Sequence, residues 1–216
     1  MPVDNLFSLG GVVMWPLLGL SILATALILE RVIFWMQVAR RQDRLVREVL
    51  ALYRRSARMA FERLEKSADL PMARIFLAAL ELDQATPDEF RLALESAAQA
   101  ELPLLKRFNT VFETVISVAP LLGLLGTILG LISSFASLRV GDLGGTNSTG
   151  VTSGISEALI STAAGLIVAI FTLLFANMFR GLYLRQMALI QEYGGQLELL
   201  YRRRYERGRN PYASTQ

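Results

Sequence analysis

Residues Ala119–Phe135 read APLLGLLGTILGLISSF, a run apolar enough for lipid that nevertheless carries three glycines, a threonine and two serines. At 100° per residue, Gly123, Thr127, Gly130 and Ser134 fall within about 60° of one another on a helix. One face is therefore small and weakly polar, and the remainder is Leu and Ile.

The rest of the chain fits a membrane setting. Of its 216 residues 53% are hydrophobic, and the charges are crowded into some regions and absent from others. There is no cysteine, which excludes a disulfide frame and a thiolate metal site, and no histidine, which removes the usual zinc ligand and the commonest general base. Hydrolase and metalloenzyme chemistry are disfavoured, and no catalytic residue, metal or cofactor is expected.

Three segments meet the roughly 20 apolar residues that a helix needs to cross the hydrocarbon core. The first runs from Leu9 to Leu29, the second lies between Glu113 and Arg139, and the third between Glu157 and Arg180. The flank MPVDNLFS has no Lys or Arg, and the apolar run behind it exceeds the roughly 7 to 15 residues of a signal h-region, so the first segment reads as a retained span. The segments 31–107 and 180–209 hold all but one (Arg139) of the 22 Lys and Arg residues. By the positive-inside rule the N-terminus is outside, the middle region and tail are cytoplasmic, and the loop after the second span is external. The expected divisions are a first span within 1–35, a helical cytoplasmic region 36–113, spans at 114–138 and 157–179 separated by an external loop 139–156, and a basic cytoplasmic tail 180–216. The tail sequence YRRRYERGR reads as a topology anchor beside anionic lipid or, alternatively, as a partner site.

In the cytoplasmic region Leu45, Val49, Leu52 and Tyr53 recur at helical spacing, SADLP at 67–71 interrupts the pattern, and MARIFLAALEL resumes it. TPDE at 86–89 is a helix start, with Thr86 as cap, Pro87 at the first position and Glu89 completing a capping box. Nothing from Pro87 to Leu138 reads as a loop, although Pro103 and Pro120 each remove a backbone donor. Such a rod of about 50 residues would measure about 75 Å against about 30 Å of hydrocarbon, so the second span should project into the cytoplasm. The third is expected to continue past Arg180 until Gly194 and Gly195. The piece GDLGGTNSTGVTSG at 141–154 reads as a flexible hairpin, and its Asn147 sequon carries little weight.

The third span, GISEALISTAAGLIVAIFTLLFANMF, has its own small face: Ala158, Ser161, Thr162, Gly165, Ala169, Thr172 and Ala176 share one side, with Ile160, Ile167, Ile170, Phe171 and Leu174 roughly opposite. Two readings compete for such faces. Small residues let helices approach closely in lipid, where no hydrophobic drive joins them, and Ser or Thr can bond back to its own helix. Alternatively, Thr127, Ser134, Ser161 and Thr162 give water or a proton donor polar contact along a pore wall. Small residues alone do not decide between these.

VAPLLGLLGTILGLISSF followed after a short loop by ISEALISTAAGLIVAI resembles the two pore-forming spans of the MotA/TolQ/ExbB proton-channel family. The likeness covers about 60 residues at high specificity, and the three-span layout extends it to most of the chain. Having three spans rather than four makes it similar to ExbB and TolQ and less like the flagellar stator subunit. The resemblance implies a homopentameric ring whose central pore holds the single transmembrane helices of two ExbD- or TolR-like subunits. It further implies that proton flow drives movement that a TonB- or TolA-like protein carries to the outer membrane. Carried over residue by residue, it puts Thr127 and Thr162 near the partner's proton-carrying aspartate and makes Glu157 the acid opening the third span. Where relatives commonly have Ile-Pro, this chain has Ile170-Phe171, so a kink expected there is in doubt.

The residues add an independent constraint. An ionisable group at mid-membrane costs roughly 3 kcal/mol or more and is kept for function, and none of the three spans has one. If protons cross, the titrating carboxylate must come from another subunit. Glu157 has two readings, a helix-start acid complementing its own helix dipole or an acid at the outer pore entrance. Glu30-Arg31 beside Phe34 and Trp35 reads as interfacial anchoring. Asn177 reads as an interhelical hydrogen bond or a pore contact, and Glu101 and Glu113 read as solvated faces or a ring of acids at the cytoplasmic mouth.

The expectation is thus an all-α integral membrane protein with three transmembrane helices, forming a ring-shaped homo-oligomer in the bacterial inner membrane. Its site residues would be Thr127, Thr162, Glu157, Ser134 and Ser161 along the ion pathway, with Gly123, Gly126, Gly130 and Gly165 as a packing or pore face. A membrane scaffold that uses the same faces only for packing is the alternative; a solute transporter is disfavoured by the few spans and the absence of an inverted repeat.

Overall fold

The structure, a computed structural model, describes residues 10–140 and 148–209. Six helices make up almost all of them: α1 (Met14–Arg55), α2 (Ala57–Glu65), α3 (Pro71–Leu80), α4 (Pro87–Leu105), α5 (Asn109–Val140) and α6 (Ser148–Arg209). Three helical stretches are long and apolar enough to cross a membrane, in α1, in Pro87–Ser137 and in Gly150–Gly208; the first expected span, read from Leu9, becomes helical only at Met14, with residues 10–13 forming the turn ahead of it and Leu9 outside the described residues. Only 22–28% of the three stretches' most apolar windows is buried within the chain, so lipid or other chains must cover the rest.

The helices form two units. The first holds the chain up to Arg31 together with Phe108–Phe179. Its apolar centre is Val13, Met14 and Leu17 of the α1 entry, Ala119 of α5 and Ala169 of α6, with Leu20, Leu122, Ala164 and Val168 packed against it. Phe112 and Phe179 add an aromatic contact at 5.8 Å.

The second unit holds Val32–Arg107 and the chain from Arg180 onward. α3 is its apolar centre, with Met72, Ala73, Ile75, Phe76 and Ala79 all buried. α4 starts with the expected capping box: the Glu89 N–H donates to the Thr86 hydroxyl at 3.3 Å, and the Glu89 carboxylate accepts from the Thr86 N–H at 2.7 Å. The Thr86 N–H, together with the Thr86 hydroxyl that also donates to the carboxylate at 2.8 Å, holds the Glu89 carboxyl below the usual carboxylate range. Arg74 ties three pieces together, forking onto Glu101 of α4 at 2.7 and 2.5 Å and donating to the carbonyls of Ala68 and Asp69. Glu101 is therefore a buried, paired acid and not a solvated face or a free member of a ring. Gln42 of α1 and Gln186 of α6 exchange amide hydrogen bonds at 3.0 and 2.8 Å, both buried. Tyr201 stacks on Phe90 at 3.9 Å and donates its hydroxyl proton to the Ala85 carbonyl at 2.6 Å. Burial pushes that phenol's pKa up, which keeps it a donor.

Helix boundaries depart from expectation in four further places. The run from Pro87 is interrupted at Lys106–Phe108, where Phe108 adopts φ +67°. Pro103 has already removed one N–H from the last turn of α4, and a left-handed residue, which costs about 1 kcal/mol outside glycine, ends it. Pro120, by contrast, is carried inside α5. Gly194 and Gly195 do not stop α6, which continues to Arg209, because Ile190 and Leu197 on either side are buried and outweigh the helix penalty of about 1 kcal/mol per glycine. Ser148–Gly154, expected in a hairpin, form the first turns of α6, while Gly141–Asn147 lie outside the described residues. Finally, Ser56 opens an unexpected break, capping α2 with its hydroxyl on the Met59 N–H.

Because Glu101 is buried against Arg74, Glu101→Ala removes a two-pronged charged hydrogen bond and should destabilise the second unit by about 1–2 kcal/mol, moderated because Arg74 is part-exposed and keeps the Ala68 and Asp69 carbonyls, whereas Arg74→Met with Glu101→Leu should restore most of the loss. Thermal melts of the purified protein followed by circular dichroism check the order of the three.

Candidate functional site

The small faces of α5 and α6 meet within the first unit. On α5 the contact positions Ala119, Gly123, Gly126, Gly130 and Ser134 are spaced 4, 3, 4 and 4; on α6 they are Gly154, Ala158, Ser161, Thr162 and Gly165. A β-carbon on Gly165 would stand 2.5 Å from the Ala119 carbonyl oxygen and 3.1 Å from the Gly123 α-carbon. One on Gly130 would stand 2.6 Å from the Gly154 oxygen and 2.9 Å from the Ala158 nitrogen. One on Gly123 would meet the Ser161 oxygen and Thr162 α-carbon at 3.0 Å, and one on Gly126 would collide with the Ser161 side chain. The obstacles at Gly123, Gly130 and Gly165 are largely backbone and cannot swing away, so these glycines are what lets the helices close.

Hydroxyls stitch the same seam. Thr162 donates to the Gly123 carbonyl at 3.0 Å, crossing from α6 to α5. Ser161, fully buried, lies 2.9 Å from the Ala158 carbonyl and 3.4 Å from that of Gly123. Ser134, also buried, lies 3.0 Å from the Gly130 carbonyl and 3.2 Å from Val151. Each serine has one proton to give and so serves one carbonyl at a time. Thr127 donates to Leu124 at 2.6 Å on its own helix. Thr127 and Thr162 are half-buried, unlike the two serines. Exposed Leu, Ile and Phe cover the outer flanks, among them Leu121, Ile128 and Phe135 on α5 and Leu159, Ile167 and Leu174 on α6.

Glu157 is not at the start of its helix. α6 begins nine residues earlier, so the acid has no first-turn dipole of its own to complement. Its side chain lies instead against Gly11, just ahead of α1. Asn177 and Glu113 are both exposed on this chain. Among the described residues no cluster of acids could hold a metal ion.

The two small faces read from the sequence pack on each other, and the structure adds two contacts that the sequence reading did not include. Gly154 extends the α6 stripe one turn upstream at the Ala158 − 4 position, a signal hidden by reading that stretch as loop. Gly11 had no signal, since its role comes from a residue 146 positions away.

Residues 67–192 match the profile of the MotA/TolQ/ExbB proton channel family. A Synechocystis sp. protein named as the biopolymer transport protein ExbB-like 3 is 66% identical over 194 residues, 90% of this chain and 92% of that relative. ExbB-like 1 of the same organism is 44% identical over 197 residues, 91% of this chain and 78% of its own length. The Tol-Pal system protein TolQ of Haemophilus influenzae is 38% identical over 104 residues, 47% of this chain and 42% of that protein.

Gly130→Ala and Gly165→Ala should each weaken the α5–α6 seam by about 1–3 kcal/mol, the cost of overpacking against backbone. Gly19→Ala in α1, where a β-carbon meets nothing within 4 Å, should be neutral or better. Thermal melts with size-exclusion profiles of the solubilised protein distinguish the two classes.

Proposed function

We propose, from the premise that this chain belongs to the MotA/TolQ/ExbB proton channel family, that it is the ring-forming subunit of an inner-membrane complex that turns proton-motive force into mechanical work. It is a transport protein and not an enzyme. In this reading it assembles as a homopentamer with single-span ExbD- or TolR-like helices in its pore and a TonB- or TolA-like protein carrying the work to the outer membrane. The N-terminus is outside and the tail cytoplasmic, as the distribution of Lys and Arg favours. The two relatives matched over about nine-tenths of this chain favour the ExbB-like branch.

The observation that carries the proposal is a pair of apolar helices whose shared face offers hydroxyls and carbonyls but no ionisable group at mid-span. Such a wall can hold a proton carrier without being one. The carboxylate that titrates is then the partner's, and each charge crossing 100 mV releases about 2.3 kcal/mol for the motor. Within the site, Thr127 and Thr162 are the pathway hydroxyls, as their partial exposure on the single chain suits. Glu157 stands at the outer entrance. Ser134 and Ser161, assigned to the same path on sequence grounds, contribute by shaping the wall from within the seam. Gly123, Gly126, Gly130 and Gly165 set its thickness.

Thr127→Val and Thr162→Val should each cut proton flux at least tenfold in vesicles containing the complex while leaving its assembly intact, and Thr→Ser should retain most of it. Unchanged flux in both valine variants would remove the pathway role. A scaffold would instead lose assembly in Gly130→Leu and show no response of any phenotype to collapse of the proton gradient.

A further inference from the structure

The outer end of α1 is built around one acid from another helix. Gly11 has φ +71°, a conformation that side chains disfavour, and its carbonyl accepts the Met14 N–H at 3.1 Å to start the turn leading into α1. The Glu157 carboxyl lies directly against it. A β-carbon on Gly11 would fall inside that carboxyl, with the Glu157 γ-carbon at 3.2 Å. Gly11 thus does two separable things: its backbone takes a conformation that disfavours side chains, and it leaves the room in which the Glu157 carboxyl, the movable end of that side chain, stands; a β-carbon there would displace the carboxyl. Contacts beside it fix the approach: Val13 lies within 3.7 Å of where a Gly126 β-carbon would stand, and Val13, Met14 and Leu17 pack with Ala119 and Ala169. The first N–H groups of a helix have no acceptor one turn back and form its positive end, a favourable place for a carboxylate.

We propose that Gly11 is the seat of Glu157, a positioning residue through which the first span holds the third-span acid at the outer end of the ion path. The proposal rests on the reading above in placing Glu157 on that path. α1, which lacks the hydroxyl-bearing stripe of α5 and α6, thereby acquires a part in conduction: it sets where the entrance carboxylate stands.

The two contributions of Gly11 separate by choice of residue, because asparagine tolerates positive φ but brings a β-carbon. Gly11→Asn and Gly11→Ala should both lower the melting temperature of the purified oligomer and cut proton flux at least tenfold in vesicles with the single-span partner. Glu157→Ala placed in the Gly11→Asn background should restore the melt to that of Glu157→Ala alone but not the flux. Glu157→Asp, whose carboxyl is withdrawn by one methylene, should return flux several-fold to Gly11→Asn. A Gly11→Asn variant with wild-type melt and flux, or one whose defect Glu157→Ala does not relieve, overturns the seat. If Glu157→Gln conducts normally while the Gly11–Glu157 coupling persists in the melts, the seat stands and the pathway role of Glu157 falls.

Discussion

The first unit depends on two backbones coming closer than side chains ordinarily allow. Where α5 crosses α6, Gly165 abuts Ala119 and Gly123, while Gly130 abuts Gly154 and Ala158. In lipid, leucine gains nothing by meeting leucine instead of an acyl chain, so the pair is held by dispersion at short range and by hydroxyl–carbonyl bonds. Both fall off steeply with separation, and both exist here because side chains are missing. Close approach puts the Thr162 hydroxyl on the Gly123 carbonyl and turns the bulky Leu, Ile and Phe residues outward. That outward surface, mostly unburied in one chain, is left for lipid or other chains to cover.

The polar residues of the spans divide by depth. Ser134, Ser161 and Thr172 are buried and spend their protons on carbonyls of their own chain, which removes the penalty of an unpaired hydroxyl in an apolar setting. Thr127 and Thr162 make similar bonds yet remain partly accessible. A threonine that donates to a carbonyl keeps its lone pairs free to accept. The stripe that looks uniform on a helical wheel is therefore two sets of groups, one that closes the seam and one that borders it.

Much of this was legible beforehand because the signals are local. Spans declare themselves by length and absence of charge, the stripe by its alternating spacing of 3 and 4, and the α4 start by Thr86, Pro87 and Glu89. The breaks at Ser56 and at Lys106–Phe108 had local causes that were passed over; three other misreadings depended on contacts elsewhere in the chain. Gly194-Gly195 looks like a helix stop until Ile190 and Leu197 are found buried on either side. The glycine- and serine-rich stretch after Asn147 looks like loop until Gly154 is found against Gly130 and Ser134. Glu101 looks like a surface acid on an amphipathic helix, yet its guanidinium partner is 27 residues back in the sequence. Composition that signals flexibility in water signals close packing in a membrane, and the two cannot be told apart without knowing the opposing face.

On the proposed path the chemistry of a threonine explains why this chain can do without an acid of its own at mid-span. A protonated partner carboxyl is a donor, and a wall hydroxyl already bonded to a backbone carbonyl, as Thr127 and Thr162 are, can receive it without rearranging. After the proton leaves, the carboxylate needs donors, and the same hydroxyl can supply one by rotating away from a carbonyl whose second lone pair is an ordinary vacancy. Valine has the shape but neither response; an aspartate in the wall would hold a competing proton and repel the carrier's charged form. A hydroxyl-bordered, charge-free seam is therefore suited to passing a proton carrier in both of its states, and a fixed charge at mid-span would favour one of them at the expense of turnover.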